Sequence, residues 1–121
     1  MGEITQSDKY YDDAIKIYDE FNDSLSMIKV FNSQAINHQM KGNVDLAFET
    51  FLHSLDYVKK MGDKTTVFNT LMNIGIMYDN NSNYDKCLYY YYEALKYSDN
   101  VDRSSVALLQ SYIAEVYLTL K

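Results

Sequence analysis

The sequence predicts an all-α protein: about six helices paired antiparallel and stacked as a superhelical repeat array, an α-α solenoid. Three observations predict it. The chain has 121 residues, 47% of them apolar, and no proline, a composition that suits a folded and mostly helical chain. Apolar residues recur at steps of three and four. One helix-sized pattern repeats 40 residues apart along the chain.

The stretch CLYYYYEALKY, residues 87–97, tests the helical reading. Tyr84, Cys87, Leu88, Tyr91, Ala94 and Leu95 form one stripe at helical spacing, with Tyr91 at its centre and Tyr90 beside it. Tyr89 and Tyr92 fall on the outer face with Asp85 and Lys96. A strand would alternate with period two, which this segment does not.

The repeat pairs VDLAFETFLHSLDY (44–57) with YDKCLYYYYEALKY (84–97). Ala47 matches Cys87, Phe51 matches Tyr91, Ser54 matches Ala94, Leu55 matches Leu95 and Tyr57 matches Tyr97. YYDDAIKIYDEF (10–21) is a third copy, with Ala14 and Tyr18 matching Ala47 and Phe51 at an offset of 33. Between these lies a second pattern: VFNSQAINHQMKG (30–42), LMNIGIMYDNNSN (71–83) and SYIAEVYLTLK (111–121). There Ala35, Gly75 and Ala114 are equivalent small residues, each followed three positions later by His38, Tyr78 or Tyr117. Small residues let two helices approach closely, and Phe51 and Tyr91 fill the gap to the next pair.

Helices are predicted over about 7–21, 25–41, 44–61, 65–81, 84–98 and 103–120. Gly42 and Gly62 suit helix ends, and Asn43, Asn83 and Asp102 suit N-caps.

A small-then-aromatic helix, a turn, and a helix bearing Ala-x3-aromatic-x2-small together resemble the tetratricopeptide repeat (TPR). The best copy is LMNIGIMYDNNSNYDKCLYYYYEAL, where Leu71, Gly75, Tyr78, Tyr84, Cys87, Tyr91 and Ala94 fall at signature positions. It departs at Ser82, where the family has a turn glycine, at Cys87, where it has alanine, and in lacking the proline of many such repeats. The resemblance implies one domain over residues 1–121: a half repeat at about 7–21, full repeats at about 25–61 and 65–98, and a half repeat at about 103–120. With Met61-Gly-Asp-Lys64, it is similar to the TPR segments of bacterial signalling proteins. It then implies a sensory or scaffolding module without chemistry of its own.

In that family the first-type helices line a concave groove. The corresponding face here carries Asn32, Ile36, Asn69, Met72, Asn73, Ile76 and Tyr112, and an extended protein or peptide segment is its expected partner. Lys29 is the one candidate for a carboxylate clamp, which argues against a C-terminal tail as ligand.

The last helix, SSVALLQSYIAEVYLTLK, is apolar nearly all round. Such a helix is covered on more than one side. Two readings stay open: a segment of a longer repeat protein, or a helix that pairs with a second subunit as a homodimer. Leu108 and Val116 on that helix, with Tyr89 and Tyr92, are the expected interface residues.

Other classes are expected to be absent. The net charge is −6 and Arg103 is the sole arginine, which disfavours nucleic acid. No apolar run approaches the roughly 20 residues of a membrane span. The start MGEITQSDKYYDD lacks a basic and apolar leader, and Gln6 breaks the myristoylation pattern. A single cysteine forms no internal disulfide, so the expected location is cytoplasmic. His38 and His53 have no nucleophile or carboxylate at triad spacing, and Cys87 sits where alanine packs, so no catalytic residue is expected. Asp79, Asn81, Asn83 and Asp85 alternate as in a calcium loop, but Tyr84 and Tyr90 stand where glycine and glutamate are required, so neither metal nor cofactor is expected.

Overall fold

The computed structural model describes residues 6–61 and 63–121. These are all-helical, with no strand among the described residues: α1 (Gln6–Glu20), α2 (Ser24–Met40), α3 (Val44–Met61), α4 (Lys64–Asn80), α5 (Tyr84–Leu95), a 3₁₀ turn (Ser98–Asn100) and α6 (Arg103–Thr119). The chain divides into two compact units. The first holds α1 to α3 and ends at Met61, and the second holds α4 to α6 and runs to Lys121. The expected helix end at Gly62 lies outside the described residues, as do residues 1–5 of the expected leaderless start.

One turn joins three of the helix pairs. At its centre stands a left-handed residue: Asn22 (φ 53°), Gly42 (φ 82°) or Ser82 (φ 59°). After α2, the Gly42 N–H donates to the Gln39 carbonyl (3.0 Å) and the Asn43 N–H to the His38 carbonyl (2.9 Å). After α4, the Ser82 N–H donates to Asp79 (2.9 Å) and the Asn83 N–H to Tyr78 (2.9 Å). After α1, the Asn22 N–H donates to Asp19 (3.1 Å) and the Asp23 N–H to Tyr18 (2.8 Å). This paired 5→2 and 6→1 bonding is the Schellman motif, which occupies carbonyls that a helix end otherwise leaves open. Ser82 thus takes up the turn geometry without glycine.

The residue after the left-handed one starts the next helix. Asp23 accepts from the Ser26 N–H (3.1 Å), and Asn83 accepts from the Lys86 N–H (3.4 Å). Asp63 and Asp102 cap α4 and α6, accepting from Thr65 (3.2 Å) and Ser105 (2.8 Å). Asp23 and Asp63 are caps that the sequence reading did not assign. The helix predicted to reach about 98 ends at Leu95. There Lys96 and Tyr97 donate to carbonyls three residues back and the Ser98 hydroxyl donates to the Leu95 carbonyl (2.7 Å), tightening the chain into the 3₁₀ turn.

In the first unit α2 packs on both α1 and α3. Ile28, Phe31, Ala35 and His38 are buried on α2, and Ala47, Phe51, Ser54, Leu55 and Val58 on α3. Polar contacts hold α1: Gln34 donates to Asp12 (3.4 Å), Asn37 to Ser7 (3.4 Å), and Lys41 pairs with Asp8 (3.8 Å). No residue of α1 is buried.

In the second unit α5 packs on both α4 and α6. Tyr91 is the largest fully buried side chain, 1% exposed, beside Gly75 of α4 and stacked with Tyr112 of α6 at 6.2 Å between ring centres. Tyr78 stacks on Tyr90 at 5.5 Å, with the Lys86 ammonium over the Tyr78 ring. Leu109, Ile113 and Val116 are the buried residues of α6. Truncating a buried aromatic such as Phe51 or Tyr91 to alanine costs about 3–5 kcal/mol.

Candidate interaction surface

The expected groove residues fall in both units. On α2, Ile36 is 49% exposed, whereas Asn32 is half-buried and its side-chain carbonyl accepts from the Ser54 hydroxyl (3.2 Å). That oxygen is spent on packing α2 against α3. On α4, Asn69 is exposed and Met72, Asn73 and Ile76 are half-buried along one face. Tyr112 is half-buried because its ring stacks on Tyr91.

The expected interface residues separate. Tyr89 and Leu108 are exposed, at 59% and 44%. Tyr92 is also exposed, but its hydroxyl is 2.7 Å from that of Tyr117 on α6. This hydrogen bond, ahead of burial, raises the Tyr92 pKa. Val116 faces inward, with 1% exposure, and is core rather than interface. The apolar circumference of α6 therefore divides. Leu109, Ile113 and Val116 pack on its own unit, while Leu108, Tyr117, Leu118 and, just beyond the helix, Leu120 are exposed.

Two surfaces went unnoticed in the sequence. Tyr10 and Ile17 of α1 and, just beyond the helix, Phe21 stand on one side, 66%, 52% and 77% exposed, with Ala14 between them. On α6, Ala107, Gln110, Ala114 and Tyr117 form an exposed stripe. Ala107 and Gln110 also line a cleft of about 460 Å³ between α6 and the 3₁₀ turn, which Asp99 and Arg103 border. The seven-and-four spacing of Tyr10, Ile17 and Phe21 was the available signal.

The reactive side chains are placed apart from these surfaces. Cys87 is fully buried, and burial pushes its thiol up to about 11, partly opposed by a hydrogen bond with Tyr91. His38 is 7% exposed with Nδ1 buried and lacking a hydrogen-bond partner, and His53 is exposed. Among the described residues no three His, Cys, Asp or Glu side chains gather as a metal site, and no helix is long and apolar enough to cross a membrane.

Comparison with protein-family models, with curated proteins and with solved structures finds no match to this chain.

Proposed function

We propose that the chain is a non-catalytic protein–protein interaction and assembly module, built as a TPR-like array of helix pairs. The observation that carries this reading is the exposure of large apolar side chains along α1 and α6. Tyr10, Ile17 and Phe21 stand out from α1, and Leu108, Tyr117 and Leu118 from α6. Scattered exposed apolar residues are ordinary, but the aligned set of Tyr10, Ile17 and Phe21 is what partner surfaces are made of. The buried, weakly acidic thiol of Cys87 and the buried imidazole of His38 support an absence of chemistry. The resemblance to bacterial signalling proteins supports a cytoplasmic sensory or scaffolding role.

Light scattering from micromolar to millimolar protein tests assembly. A molar mass that climbs above 14.1 kDa supports it. A single-chain mass throughout would overturn it.

A second reading is a peptide receptor, favoured by the exposed Asn69 and half-exposed Met72, Asn73 and Ile76 on one face of α4. Amides there would pair with an extended backbone while Met and Ile contact its side chains. A bound peptide then raises stability by mass action, and Asn73→Ala abolishes the rise. An unchanged rise would remove α4 from the binding face.

A further inference from the structure

We draw no further inference here: the strongest candidate, the stripe of Leu25, Ile36 and Met40 exposed along one face of α2, is an unpartnered apolar face, and nothing in the structure shows what covers it.

Discussion

Gly75 lies directly beneath the ring of Tyr91: a Cβ added to Gly75 would fall inside contact distance of Tyr91 Cδ1 and Cε1, and 3.4 Å from the Cys87 carbonyl oxygen. The tyrosine ring occupies the space a side chain on α4 would need. This one contact sets how closely α4 and α5 approach.

Gly75→Ala is therefore expected to destabilise the second unit, although alanine is the better helix former. The propensity gain is roughly 1 kcal/mol, while forcing a methyl under a packed ring costs about 1–3 kcal/mol. Urea denaturation should show a net loss of about 1 kcal/mol. In a Tyr91→Leu background the same alanine should become neutral or favourable, since residues in contact couple. Equal effects in both backgrounds would refute the contact.

Ser82→Gly and Gly42→Ala should move stability in opposite directions. Both positions sit at positive φ, 59° and 82°. Nothing lies within 4 Å of a Cβ built on Gly42, so its substitution reports backbone strain alone. A left-handed non-glycine residue costs roughly 1–2 kcal/mol, and glycine's extra freedom in the unfolded chain returns about 0.5–1 kcal/mol of that. Thermal melts should show a gain of about 0.5 kcal/mol for Ser82→Gly and a loss of about 0.5–1 kcal/mol for Gly42→Ala.

Alkaline pH should weaken the fold through Cys87. Burial raises its folded pKa from 9.0 to about 11, so the unfolded chain releases the thiol proton first. The stabilisation is intact below about pH 9 and declines as pH rises toward 11. Tyr91 is raised chiefly by burial and acts in the same direction. Chemical denaturation across this window should show a shallower decline for Cys87→Ala, which restores the residue found at Ala47. Parallel curves would exclude the thiol. In the folded protein below pH 9, thiol reagents should react only as fast as Cys87 is exposed by opening.

Much of this was legible because the signals are local. Gly42, Asn83 and Asp102 announce helix boundaries by their own backbone preferences, and the stripe through Cys87, Tyr91 and Ala94 reads inward from spacing alone. Val116 was misassigned because α6 is apolar on several sides, so periodicity gives no unique inward direction. It took packing against α5 to bury Leu109, Ile113 and Val116 and leave Leu108 and Leu118 outside. Asn32 read as a free groove amide because its partner, Ser54, lies 22 residues away on another helix. The exposed side of α1 was hidden differently. Tyr10, Ile17 and Phe21 look like core residues at helical spacing, and only a structure shows them uncovered.

The Schellman turns have a kinetic consequence. In each, a left-handed residue is followed at once by the first cap of the next helix, so neighbouring helices meet after almost no loop. Searching for partners then costs little chain entropy, because helices packed together follow one another in sequence. Hairpins closed this way belong to the low-contact-order class that folds in microseconds to milliseconds. A stopped-flow or temperature-jump experiment would find refolding governed by how fast each turn zips, not by a search for distant contacts.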